Sequence, residues 1–232
     1  MPSSLRIKKP LFTVDSVLFT VADSTLKVLM VKRADEPFLG CWTLPGGFID
    51  IDLDKNTDTT ARRKLMDKTG LAPNYLEQLQ VFSGPDRDPR GYSITLAYYA
   101  LVAHQPVEPR IATVESARWI DVANLAKLSI GFDHLHIIEL ARRRLQQKTL
   151  YSMIPVFCLP QHFTIAQLMG VIEAIVEKPI QRKSLMRRVE ASEMFEVTSE
   201  KISSGGRLAQ LYSVKPHADI TNFERNLGVD LE

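Results

Sequence analysis

Cysteine is almost missing from this 232-residue chain, which holds only Cys41 and Cys158. The two are too far apart for a C-x-x-C motif and lack the spacing of a zinc site, so a disulfide scaffold and a structural zinc module are excluded. A reducing compartment is expected. Long apolar runs are missing too. The longest nearly apolar stretch, residues 150–159, falls well short of the ~20 residues that a bilayer-spanning helix needs. Near the N-terminus Arg6, Lys8 and Lys9 precede a strand-like segment rather than the apolar core of a signal peptide, and a cytoplasmic protein with no membrane partner is expected. Glycine (11) and proline (13) are sparse and no tract is biased, which excludes collagen and wholesale disorder, while 45% hydrophobic residues can supply a packed core. Neither sign of charge dominates. The balance of 29 basic and 27 acidic residues becomes informative only when it is localised along the chain.

What is present begins with strand grammar. Residues 11–33 are rich in Val and Phe and read as two strands joined by a turn at 22–25, a hairpin that opens a mixed sheet. "WTLPGGF" then bends the chain sharply at Pro45, Gly46 and Gly47, and a helix is predicted from about Asp58, stopped by Gly70. Strands are predicted at "LEQLQVFS", "SITLAYYALVA" and "ESARWIDV". An amphipathic helix follows at "DHLHIIELARRRLQQK", with Asp133 as its N-cap and a basic C-terminal end. A domain boundary is placed near residue 150, giving units 1–150 and 151–232. Beyond it, a Thr164-capped helix with Leu168, Val171, Ile172 and Ile175 on one face runs to Glu177, and Lys178-Pro179 breaks the chain before a second helix at 180–192. Two short strands, "MFEVT" and "QLYSV", flank a polar loop with Gly205-Gly206, which completes a winged-helix pattern.

The loop "LPGGF" followed by "ARRKLMDKTGL" resembles the Nudix family, whose box runs from a Gly-Gly loop into a helix ending Arg-Glu-hydrophobic-x-Glu-Glu-x-Gly-hydrophobic. Arg63, Leu65, Gly70 and Leu71 fit that frame, whereas its three helix glutamates fall on Lys64, Asp67 and Lys68. The segment between Gly47 and the helix is longer than the family's. Its early glutamate has no firm counterpart, and Asp52 and Asp54 are merely nearby. A magnesium ion needs oxygen ligands, and the exchange turns the local charge from minus three to plus one, which repels it. No catalytic residue, metal ligand or required cofactor is therefore expected. A diphosphate remains a candidate ligand, because Lys64 and Lys68 lie one helical turn apart and can stand in for the metal's charge beside Gly46 and Gly47. The competing reading is of two solvated lysines paired with Asp67.

Arg87 and Arg90 in "GPDRDPRGY" are candidates for bidentate phosphate contacts, against a hairpin turn with internal Asp–Arg pairs. In "GFDH", Phe132 is a candidate stacking surface and His134 a hydrogen-bonding group, although a lone histidine there also fits a structural role. Arg33 and Trp42 are placed to face the same pocket, with core packing the alternative for Trp42.

Helix 180–192 carries Arg182, Lys183, Arg187 and Arg188 with no acid among them, and Leu185, Val189 and Met186 supply the side that docks. It reads as a recognition helix for duplex DNA. Arg182, Lys183 and Ser184 are assigned to base edges or phosphates, and Arg187 or Arg188 to the backbone; Lys201 and Arg207 form the wing, with Arg207 a candidate for the minor groove. Residues 178–215 hold eight basic and four acidic residues, although residues 151–232 as a whole hold nine and ten. A protein-docking winged helix is the alternative.

Both halves together resemble the Nudix-related transcriptional regulators of bacterial NAD metabolism, up to about Val214. The resemblance implies an α/β (α+β) Nudix-like mixed-sheet sandwich followed by a C-terminal winged helix-turn-helix. It also implies ADP-ribose or a related nucleotide as effector, a homodimer on a palindromic operator near NAD-synthesis or salvage genes, release from DNA on ligand binding, and a nucleoid-associated location. The 149–163 join is the expected hinge. The runner-up is an active ADP-ribose pyrophosphatase that also binds DNA.

Overall fold

The computed structural model describes residues 9–204, 207–224 and 227–228, residues 204 and 207 by backbone alone. β1 (Leu11–Ala22) and β2 (Thr25–Arg33) form the expected antiparallel hairpin, while β1 runs parallel to β6 (Ser93–Leu101) along its length, so the sheet is mixed. β5 (Tyr75–Gly84) continues the sheet beyond β6, and β7 (Val114–Asp121) and the short β3 (Trp42–Thr43) both pair with β2. One edge of β1 is divided. Phe19 to Ala22 face β2, whereas Thr13 to Asp15 face β4 (Gly46–Phe48), which lays the glycine loop directly against Asp15.

Side chains alternate across a strand, so β1 feeds two layers. Val14 and Leu18 point toward α1 (Thr57–Thr69) and pack with Ala61 and Leu65, whereas Val17 and Phe19 point toward α2 (His134–Thr149) and pack with Ile137, Ala141 and Leu145. A strand covered on both faces needs a nearly unbroken apolar run, which β1 has. α1 starts one residue before the expected Asp58. Asn56 accepts from the Thr59 N–H at 2.9 Å in a reciprocal capping box, and Gly70 ends the helix in the left-handed conformation at φ 74°.

Three details depart from the sequence reading. Asp133 occupies the N-cap position of α2, but its carboxylate does not cap the helix, because Arg87 takes it. The join after α2 is not a free linker: Pro155 is buried, and Ile154, Val156, Cys158, Leu159 and Phe163 belong to a core continuous with that of α2 and the sheet. An apolar segment next to apolar helix faces gains more from burial than a tether would from exposure. The strands after α4 are also longer than expected. β8 (Phe195–Ser204) and β9 (Arg207–Val214) extend through most of the polar loop, since paired backbone satisfies its hydrogen bonds whatever the side chains.

α3 (Ile165–Val176) has the Thr164 cap and the buried face that periodicity predicts. It is tied to α2 by the Arg142–Glu177 ion pair and by the Gln146 amide donating to the Ile175 carbonyl at 3.1 Å. Phe163 exchanges two backbone hydrogen bonds with Tyr212 of β9, and α4 (Arg182–Ser192) packs through Leu185 and Val189. Helix, turn, helix and hairpin make the winged helix. Among the described residues no helix is long and apolar enough to cross a membrane.

Candidate functional site: a cationic pocket and an exposed basic helix

A cavity of about 400 Å³ opens where β1, β4, α1 and the start of α2 meet. That is within the range of roughly 300–1,000 Å³ common for small-molecule sites. It is lined by Arg33, Gly46, Gly47, Lys64, Lys68, Arg87, Arg90, Phe132 and His134, the whole set that the sequence assigned to a ligand. Trp42 packs into the core instead, with the Arg118 guanidinium 5.8 Å from its ring centroid.

The glycine loop can lie there because Gly46 has no side chain. A Cβ at that position would stand 2.1 Å from Asp15 Oδ1 and 2.5 Å from the Val14 carbonyl oxygen. Gly46→Ala is therefore expected to cost about 2–3 kcal/mol, the upper range for overpacking, and to lower Tm by roughly 5–10 °C; an unchanged melting curve would contradict the packing. Gly47 stands at φ 145°, a conformation that L side chains rarely adopt, while the Lys64 stem lies at an ordinary contact distance of about 3.6 Å from where a Cβ would be.

Burial pushes the Lys68 ammonium down to about 8, with Lys64 and Arg33 adding to the shift and Asp15 opposing it. Burial and the neighbouring Arg63 lower Lys64 likewise. Positive groups that are poorly solvated and crowded by one another gain most from an anion. Neither lysine pairs with Asp67, which Arg63 takes at 3.3 Å.

The two arginines of the turn are already engaged. Arg87, with 8% of its side chain exposed, holds Asp133 bidentately at 3.0 and 2.8 Å and donates to Ser93 Oγ at 2.9 Å. Arg90 holds Asp88 in the same way at 3.0 and 2.7 Å, with its guanidinium over the Phe48 ring. Burial opposes the charge on Asp88, but the hydrogen bonds from Arg90 outweigh it and keep the carboxyl below its usual range. Both sequence readings thus hold in part: the arginines line the pocket, and Arg90 pairs with an aspartate of its own turn, whereas the aspartate on Arg87 comes from the start of α2.

Phe132 stands at φ 58° with its ring 4.6 Å from that of Phe38 and 5.0 Å from that of His134, beneath the Arg33 guanidinium. It is the flat apolar surface of the site. His134 is buried and its imidazolium is destabilised by desolvation, so the ring is neutral. Its Nδ1 accepts from the Leu44 N–H at 2.9 Å, which leaves the proton on Nε2, 3.8 Å from Asp15 Oδ2. The histidine therefore anchors the loop.

Asp15, Asp88, Phe48, Thr13 and Thr43 also line the cavity and were not picked out from the sequence. A signal existed for Asp15, a lone acid inside the apolar run of β1. Asp54 does not line the cavity. Arg63 holds it at 2.6 and 2.7 Å and keeps it ionised far below the usual range, which pins the loop before α1. The box face therefore offers ammonium groups and already paired carboxylates, a donor set that does not fit a divalent cation. Among the described residues, no three Asp, Glu, His or Cys side chains gather to hold a metal ion.

On the winged helix, Arg182, Lys183 and Arg187 of α4 are exposed, Ser184 is half-buried, and Lys201 is exposed on the hairpin. Arg188 departs from expectation. It is 8% exposed with its guanidinium 4.7 Å from the Phe223 ring centroid, because one residue further turns a helix by about 100° and carries position 188 onto the docked side. The Arg207 side chain lies outside the described residues.

This fold and this pocket define a Nudix-type domain joined to a winged helix. A NUDIX domain model matches residues 12–141, and a model of the NrtR DNA-binding winged helix domain matches residues 155–214. An ADPR-responsive transcriptional repressor from Acinetobacter baylyi is 36% identical over 94% of this chain and 87% of that one. Shewanella oneidensis NrtR, in a crystal structure with a 27mer DNA, is 46% identical with TM-score 0.86, covering 93% of this chain and 99% of that one. Its NUDIX domain, crystallised with ADP ribose, is 47% identical with TM-score 0.58 over 60% of this chain and 90% of that one. The chain belongs to the NrtR family.

Proposed function

We propose that this protein is a DNA-binding transcriptional repressor whose Nudix domain binds ADP-ribose as effector without hydrolysing it. The observation that carries the reading is the pocket itself. Lys64 and Lys68 stand on the box face, beside Gly46 and Gly47 and facing Arg87 and Arg90, on the same chain as the exposed basic face of α4. The diphosphate lies against the lysines and exchanges with the aspartates for the two arginines, while Phe132 and Arg33 take a flat ring. The NrtR relatives, one bound to DNA and one to ADP ribose, support both ligands.

The chain divides near residue 150 into a sensor and a reader. The reader places Arg182, Lys183 and Ser184 toward base edges, with Arg187 and Lys201 on phosphates. Two chains bind a palindromic operator near genes of NAD synthesis or salvage, in the cytoplasm, and ligand releases them by favouring the dimer that cannot bind DNA.

One titration tests ligand, partner and direction. ADP-ribose with Mg²⁺ is added to the complex of the full-length protein with a duplex that it selects from a random-sequence library. Release of DNA with ADP-ribose intact is the expected result. Conversion to AMP and ribose 5-phosphate at an enzyme-like rate would favour the pyrophosphatase, and DNA that stays bound at saturating ADP-ribose would refute the effector.

A further inference from the structure

The chain continues past β9 and past both matched segments, and the continuation does not trail away. The Lys215 N–H donates to the Met194 carbonyl at 2.8 Å, and the Thr221 hydroxyl donates to the Ser192 carbonyl, the last residue of α4, at 3.0 Å. The Phe223 N–H donates to the Tyr151 carbonyl at 2.7 Å, and Asn222 forms a bridge with Ser152, both directly after α2. The Phe223 ring meets the Arg188 guanidinium at 4.7 Å, and Leu227 is buried in the common core.

α4 needs such support. It has eleven residues, no side-chain N-cap, and two apolar residues, Leu185 and Val189, among its buried positions. A helix this short has little stability of its own. What orients its exposed face is whatever holds its buried face, and there Arg188 sits beneath an aromatic ring supplied from outside the winged helix.

We propose that residues 215–224 are a strap that seats the recognition helix on the sensor side of the molecule, with Arg188 and Phe223 as positioning residues for DNA binding. Arg188 does not hold a phosphate. It presents Arg187 and Lys183, its neighbours on the exposed side, at a defined angle to the groove. Because residues 221–223 touch α4 through Ser192 and Arg188 and also bond to Tyr151 and Ser152, the strap links the reader's helix to the end of α2, whose first residue lines the pocket.

The inference rests on the DNA-reading role of α4, and the experiment separates the two. Full-length wild type, Phe223→Ala, Thr221→Val and Arg188→Met are titrated with the library-selected duplex over a range of salt, and with ADP-ribose alone. Phe223→Ala and Arg188→Met are expected to lose roughly tenfold or more in DNA affinity, and Thr221→Val about threefold. The slope of log K against log salt stays at the wild-type value, because no phosphate contact is removed, and ADP-ribose affinity is unchanged. A slope lowered by about one in Arg188→Met would place Arg188 on a phosphate and overturn the assignment. Wild-type affinity in both Phe223→Ala and Thr221→Val would overturn the strap, whereas a wild type that binds no duplex would remove the reading on which it rests. Thr221→Val keeps the packing intact, so the strap is tested even if Phe223→Ala unfolds.

Discussion

Replacing Arg182 and Arg187 together by alanine is expected to lower affinity for duplex DNA by between about 30-fold and 2 × 10⁴-fold, since each arginine at a base edge or phosphate contributes roughly 1–3 kcal/mol. Both are fully on the exposed side of α4, and α4 packs through Leu185 and Val189, so the double variant keeps its fold. Loss of the phosphate contact of Arg187 would also lower the salt slope by about one. ADP-ribose binding should be untouched, because Arg182 and Arg187 lie outside the pocket lining. Electrophoretic mobility shift across a salt series measures all of this. Duplex affinity within a factor of two of wild type would show that α4 does not read DNA.

Lys68→Glu carries the second large effect. The change reverses one charge beside the proposed diphosphate, and a unit pair near 5 Å at an effective dielectric of about 20 is worth roughly 3 kcal/mol. Calorimetry is therefore expected to show ADP-ribose affinity at least 100-fold lower, and the variant should stay on DNA at effector concentrations that release wild type. Arg90→Ala is the gentler companion. Arg87 is less suitable, since its removal strands Asp133 at the start of α2 and mixes ligand loss with instability.

Lys68 also sets a pH dependence whose sign follows from its position. The folded, ligand-free ammonium titrates at about 8 instead of 10.5. An anionic ligand favours the charged form, so affinity is level below pH 8 and falls as pH rises above it, a fall that Lys68→Glu abolishes. Stability runs the other way. Between pH 8 and 10.5 the unfolded chain holds the Lys68 proton and the folded one has lost it, so this residue makes the protein more stable as pH rises through that window.

Much of this molecule was legible in order along the chain, for a physical reason. The β1–β2 hairpin, the Gly70 stop of α1, the Thr164 cap and the buried stripe of α3 are set by neighbours within one or two turns, where periodicity and capping chemistry act. The pocket set was legible as residue types with phosphate chemistry at turns and helix faces. The partners of those residues were not. Arg87 meets Asp133 across 46 positions, Asp15 meets His134 across more than a hundred, and Arg188 meets Phe223 through a segment with no motif of its own.

Scarcity of cysteine, the lack of a spanning run and lysines in place of carboxylates in the box made this chain legible as a two-part α/β protein with a basic helix, and the order of its residues was enough for that. Folding decided three further things. It gave each turn arginine an aspartate, so that a ligand has to compete for it. It buried the segment between the halves, so that sensor and reader share one core. It also turned Arg188 inward. Each of these depends on groups distant in sequence meeting at low dielectric, where pairing and burial outweigh local preference.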